Sequence, residues 1–220
     1  MRMRRKPWAR PELEACEFFV DSAVENRGKW TESFKKVQPI HLELGCGKGS
    51  FVAQIALNNP DINYLGVDIK SEVLAVGRRN IVKLFDENNR TVDNILLTAQ
   101  NIERIEMMMS PQDTVDRIYI NFCNPWPRGK HNKRRLTYPR QLELYKIFLK
   151  RNGEIYFKTD DRPLFDDSLL YFKESGFQVT YLTYDLHNSD VVGNIETEHE
   201  KMFSAQGIPI NFAIAKMVNL

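Results

Sequence analysis

The chain has 220 residues, 42% hydrophobic and 27% charged, as expected of a soluble globular domain large enough to build a core without disulfides. No apolar run approaches the roughly 20 residues of a membrane span, and the basic start, MRMRRKPWAR, lacks the apolar stretch of a secretory signal. Three distant cysteines, Cys16, Cys46 and Cys123, show neither a disulfide framework nor metal-ligand spacing, so a cytoplasmic protein is expected.

Residues 1–38 read as a basic extension, helical or irregular, ahead of a domain spanning 39–220. IHLELG (40–45) reads as a strand, and a helix follows over about 50–58. INYLGVDI (62–69) is a second strand, and SEVLAVGRRNIVKLF (71–85) has the period of a helix. NILLTAQ (94–100) and VDRIYINF (115–122) are further strands. PRQLELYKIFLK (139–150) reads as a helix that Asn152-Gly153 breaks before a strand at 153–160. A helix over 162–176 stops at Gly176, and strands at 178–185 and 211–218 close the chain with no clear helix between them. This alternation implies an α/β, Rossmann-like, mostly parallel seven-stranded sheet with helices on both faces and an antiparallel edge strand.

LELGCGKGS (42–50) lies where the first strand turns into the first helix, and Gly45 and Gly47 allow a tight turn and close approach by a cofactor. Asp68, 19 residues beyond Gly49, ends the second strand, where a carboxylate accepts from both hydroxyls of a ribose. A dinucleotide site wants a third glycine at position 50 to admit a pyrophosphate, and that residue is Ser50. Glu43 repels a pyrophosphate and suits the amino group and sulfonium of S-adenosylmethionine. Glu-x-Gly-x-Gly-x-Gly with a distal acid therefore resembles the class I methyltransferases.

The net charge of +2 conceals an asymmetry. Residues 1–10 hold Arg2, Arg4, Arg5, Lys6 and Arg10; residues 128–140 hold Arg128, Lys130, Lys133, Arg134, Arg135 and Arg140; neither stretch holds an acid. With those eleven set aside, 20 bases face 29 acids. Two basic segments, each with a tryptophan (Trp8, Trp126), point to a phosphate-rich partner. The second follows Asn124-Pro-Trp-Pro, a corner stiffened by two prolines at the carboxyl end of the fourth strand, where open α/β sheets place their chemistry.

ELGCGKG (43–49), NPWP with KHNKRRLT (124–137), FKTD (157–160) and DLHNSD with GNIETEHEKMFSAQGIPI (185–210) together resemble the bacterial tRNA (guanine-N7)-methyltransferases over most of the chain from residue 40. The resemblance implies methyl transfer from S-adenosylmethionine to N7 of the variable-loop guanine at tRNA position 46, giving S-adenosylhomocysteine and using no metal. It implies tRNA as partner, no membrane, and a monomer or homodimer. Glu43, Gly45, Gly47, Asp68, Gln100, Asn101 and Asn124 would bind the cofactor, with Asn124 and Asp160 catalytic. Arg128, Asp160, Thr197, Glu198, His199 and Glu200 would hold the target guanosine, and Lys130, His131, Asn132, Lys133, Arg134 and Arg135 would contact RNA. The chain departs from the family pattern at Asn124 and Gln100, where acids are usual, and at Arg128, where lysine is usual and a planar fork replaces a point charge.

Guanine N7 carries an accessible lone pair, so the reaction needs no deprotonation of the base, and positioning plus electrostatics suffice. His131, His187 and His199 read as polar contacts, and Cys46 and Cys123 as small packing residues. Two other readings compete. Asn-Pro followed by an aromatic resembles the signature of exocyclic-amine methyltransferases, and Asn124 and Gln100 would also fit an RNA-binding protein that keeps the fold and has lost activity.

Overall fold

The computed structural model describes residues 6–218. The chain forms two compact units, one running to Asp113 and the other beginning at Thr114. The described residues contain eight strands, four in each unit, one more than the sequence pattern predicts.

In the first unit, strand β1 (Phe19–Val20) pairs with β4 (Ile95–Ala99), β4 with β3 (Asn63–Asp68), and β3 with β2 (Ile40–Leu44), all parallel. Every residue of β2 is buried, as expected of a strand covered on both faces. Helices α3 (Ser50–Asn58) and α4 (Ser71–Glu87) follow β2 and β3, and α4 buries Leu74, Ala75, Ile81 and Phe85. The other two helices of this unit, α1 (Ala9–Glu14) and α2 (Trp30–Ser33), lie in the stretch expected to precede the domain. Described residues of that stretch, among them Ala9, Leu13 and Trp30, are buried. Trp30 is fully buried, and its indole Nε1 donates to the Met108 carbonyl at 2.8 Å. Asp113, 1% exposed, accepts from the amides of Gly28, Trp30 and Ser110 and from the Ser110 hydroxyl, so its buried charge is hydrogen-bonded from several sides.

In the second unit, β5 (Val115–Asn121) runs parallel to β6 (Leu149–Thr159). Strand β8 (Asn211–Met217) lies between β6 and β7 (Phe177–Thr183) and is antiparallel to both. Helices α5 (Pro139–Tyr145) and α6 (Arg162–Glu174) flank β6 in sequence, and Phe157, Phe165, Phe172 and Phe177 form a run of ring contacts with centroids 5.9–6.2 Å apart. Strand β6 begins four residues before the predicted start, because Asn152 takes a left-handed φ of 63° and makes an irregularity in the strand instead of a break. The stretch between β7 and β8 carries α7 (Glu198–Ser204), a helix the periodicity does not reveal.

Candidate functional site

The residues expected to carry the chemistry fall into two sets, one in each unit. In the first unit, the carboxyl end of β2 enters the glycine loop, where Gly45, Gly47 and Gly49 have φ of 82°, 54° and 70°. A Cβ at Gly45 would meet nothing within 4 Å, so the loop leaves an open cradle. Gly49 serves a different purpose: a Cβ there would lie 3.3 Å from the Gly77 Cα, and one at Gly77 would lie 3.0 Å from the Lys48 carbonyl carbon. These two glycines let α4 pack directly against the loop. Gly77 was not singled out by the sequence, since a lone helical glycine gives no sign of what it faces.

Asp68, at the end of β3, closes the loop with its Oδ2 accepting from the Gly47 amide at 3.1 Å and its Oδ1 from the Lys70 backbone amide at 2.9 Å. Its carbonyl accepts from the Gln100 amide at 3.0 Å, which brings the ends of β3 and β4 together. Gln100 Oε1 accepts from the Asn101 amide at 2.8 Å, and Asn101 caps the 3-10 helix Ile102–Met107 through the Glu103 amide. Glu43 is 4% exposed on β2. Burial, reinforced by the Glu43 and Asp68 charges, holds the Cys46 thiol well above its ordinary pKa and therefore protonated. An open backbone cradle, one buried carboxylate and a second fixed by amides fit the cationic amino acid and the ribose of S-adenosylmethionine. The first six predicted cofactor residues thus lie in one neighbourhood.

In the second unit, β5 ends in a corner with two non-glycine residues in the left-handed region, Phe122 at φ 52° and Trp126 at φ 45°. The Phe122 amide donates to the Lys158 carbonyl at 2.9 Å, tying the corner to β6. Asn124 is exposed and its Oδ1 accepts from the Trp126 amide at 3.0 Å. The Arg134 guanidinium stacks 3.9 Å from the centre of the Trp126 ring, and the His131 ring lies 5.9 Å away at a tilt. Burial holds the Cys123 thiol up at about 12, which removes it as a nucleophile at neutral pH.

Asp160 follows β6 directly, so it and Asn124 lie beyond the carboxyl ends of neighbouring parallel strands. Burial, and to a lesser degree the neighbouring Asp161, raises its carboxyl pKa against the lowering effect of its own backbone amide and His199. His199 is exposed and stacks on Phe122 at 6.0 Å with 20° between the rings. Glu198 is exposed as well, and so is Arg128.

Three of the predicted contacts, Glu200, Thr197 and Arg135, are engaged within the protein. Glu200 is fully buried: Lys158 and Asn194 donate to its carboxylate, which also bonds His187 Nε2 at 3.0 Å. With Thr197 it forms a capping box at the start of α7, so both residues hold that segment together. Arg135 is 5% exposed, donates to the Pro125 carbonyl at 2.8 Å and pairs with Asp167 at 2.5 Å. It turns inward to brace the corner, leaving Lys130 and Lys133 exposed on the 3-10 helix Gly129–Arg134 and Asn132 half-buried there.

The basic N-terminal segment, expected to contact a phosphate-rich partner, is described only from Lys6 onward. Arg2, Arg4 and Arg5 lie outside the described residues. Arg10 pairs with Glu14 and Asp21, while Trp8 packs 3.7 Å beneath the Arg79 guanidinium of α4. Among the described residues no group of three or more His, Cys, Asp or Glu is arranged to hold a metal, and no helix is long and apolar enough to cross a membrane.

The 16S rRNA methyltransferase KamB aligns with a TM-score of 0.60 at 12% identity, covering 83% of this chain and 89% of its own; at that identity the likeness is one of fold. Fold and glycine loop together define a class I methyltransferase. A family model described as "Putative methyltransferase" matches residues 37–213. A Clostridium beijerinckii protein named tRNA (guanine-N(7)-)-methyltransferase is 63% identical over 219 residues, a coverage of 100% of each chain, and one of the same name from Clostridium botulinum strain Alaska E43 is 59% identical over 98% of each. The chain belongs to the tRNA (guanine-N(7)-)-methyltransferase family.

Proposed function

We propose that the chain transfers a methyl group from S-adenosylmethionine to N7 of a guanine in tRNA, the variable-loop guanine at position 46. The observation that carries this reading is the pairing of the NPWP corner with Asp160 beyond the ends of adjacent parallel strands in a chain 63% identical to a named enzyme of this specificity. Glu43, the Gly45–Gly47 cradle, Asp68, Gln100 and Asn101 hold the cofactor, which supplies an electrophilic methyl group on sulfur. Asp160 accepts from N1–H or the exocyclic amino group of guanine and opposes the positive charge that develops on the ring. A carboxylate on that edge leaves N7 open, whereas an arginine on the O6/N7 edge would cover it, so Arg128 belongs on phosphate or ribose. Glu198 and His199, exposed at the start of α7, complete the guanosine contact. Protonated Cys46 and Cys123 thiols fit direct transfer without a covalent protein intermediate.

Unmodified tRNA, labelled S-adenosylmethionine and the purified protein test the reading. Digestion is expected to release labelled 7-methylguanosine from one variable-loop position. Label in an exocyclic N-methyl nucleoside would establish the alternative chemistry, and tRNA binding without transfer at any enzyme concentration would leave an RNA-binding protein.

A further inference from the structure

The geometry points to Lys158 as a positioning residue, whose buried ammonium fixes the 194–200 segment beside the NPWP corner in the form that receives tRNA. Lys158 is 5% exposed and Glu200 fully buried. The ammonium has an acceptor for each of its three protons: Asn194 Oδ1 at 2.5 Å, the Ile195 carbonyl at 3.0 Å and Glu200 Oε2 at 3.1 Å. Glu200 in turn accepts from Asn194 Nδ2 at 2.6 Å and from the Thr197 amide at 3.4 Å. The bonds therefore converge on a short stretch that has no strand partner of its own.

The same lysine reaches the corner through its main chain, since its carbonyl accepts the Phe122 amide at the point where φ turns positive. Phe122 then stacks on His199 and on Phe203, one residue from each of the first two turns of α7. Lys158 thus joins the corner, the start of α7 and, two residues on, Asp160. A buried ion pair is poor evidence of a stability device, because well-packed apolar residues often do as well. Its distinctive property is direction: three fixed donors select one conformation of a loop that apolar packing would leave free to slide.

This inference rests on the proposed tRNA reaction, and the test separates the two. Lys158→Met leaves the Glu200 charge buried and is expected to lower Tm by about 10 °C. Lys158→Met with Glu200→Gln removes both charges and is expected to recover at least half of that loss. If Lys158 only stabilises, activity returns with Tm. If it positions the segment, KM for tRNA stays raised about tenfold or more while kcat remains within about threefold. Amide exchange over residues 189–200 is then expected to stay faster than in the parent protein. Asn194→Ala, which strands no charge, gives the same comparison where the double variant fails to fold. Parental KM for tRNA, or parental exchange over that segment, in a folded variant overturns the inference alone. A parent protein that makes no 7-methylguanosine overturns the reaction and the inference together.

Discussion

Asn124 holds Trp126: the side-chain oxygen of the first accepts the backbone amide of the second at 3.0 Å, across a corner where Trp126 sits at φ 45°. A bulky residue in the left-handed region costs on the order of 1–3 kcal/mol and persists only where its surroundings over-determine it. Here the surroundings are two prolines, the Arg134 guanidinium on the indole face and this one turn. An aspartate would accept the same hydrogen bond, so placing one here would change the charge and keep the shape.

That distinction is measurable. Asn124→Asp is expected to melt with the parent protein and to bind tRNA equally well, while its added negative charge, favouring a positive product ring, raises kcat by up to about tenfold. Asn124→Ala removes the turn and is expected to weaken tRNA binding roughly tenfold. Filter binding with single-turnover methylation checks both, and an alanine variant with parental tRNA affinity would remove the turn from the interface.

The basic cluster divides by burial. Lys130 and Lys133 are exposed, and replacing both with alanine is expected to reduce the slope of log affinity against log salt by about two phosphates' worth. Arg135 braces the corner through Pro125 and Asp167, so Arg135→Ala is expected to cost about 1–3 kcal/mol of stability. Its effect on tRNA binding should track unfolding and leave the salt slope unchanged. A slope that falls in Arg135→Ala at temperatures where the variant is fully folded would return this arginine to the phosphate contacts.

Gly77 offers a test in the first unit that runs against helix propensity. Alanine in an exposed helix interior normally stabilises by about 1 kcal/mol over glycine. At position 77 the new Cβ would sit 3.0 Å from the Lys48 carbonyl carbon and 3.3 Å from the Gly49 nitrogen, so α4 and the glycine loop must separate. Gly77→Ala is therefore expected to lower stability by about 1–3 kcal/mol and to weaken S-adenosylmethionine binding about tenfold. Calorimetric titration and thermal melts read the two effects, and a variant more stable than the parent would show that the loop gives way easily.

What the sequence discloses and what it hides follow from range and size. The β2–α3–β3–α4 run is legible because its apolar period is strong and its glycines punctuate it. Strand β1 has two residues, too few for any period, and exists through pairing with β4 some 78 positions away. Helix α7 hides because its first turn is polar, and the Thr197–Glu200 pair that caps it also reads as a ligand-binding acid cluster. The run Lys133-Arg134-Arg135 carries no mark of which base turns inward, since Asp167 lies 32 residues further on. Lys158 likewise looks like a solvated strand residue until Glu200, 42 residues later, folds over it. Local pattern discloses the elements and the glycine loop, whereas the division of charged residues between buried and exposed is set by the tertiary fold.

Asp160 joins function to stability through pH. Its carboxyl pKa is raised, chiefly by burial. The folded protein therefore binds the proton more tightly than the unfolded chain does, and stability falls as pH rises from the ordinary carboxylate range through the raised value. Below that range Asp160 is protonated in both states and contributes nothing to the slope. Asp160→Asn abolishes the effect, so the variant is expected to have the higher Tm at neutral pH, with the difference shrinking toward zero as the solution is acidified. Turnover should move the other way. The charged form opposes positive charge on the guanine ring, so the asparagine variant is expected to lose on the order of 10²-fold in kcat. The acid limb of the parent's kcat/KM profile should then lie above the ordinary aspartate pKa. Melting curves and rate profiles over the same pH series measure both. A Tm difference independent of pH would mean the Asp160 charge is not disfavoured in the folded protein, and an unchanged kcat in the variant would exclude that charge from the reaction.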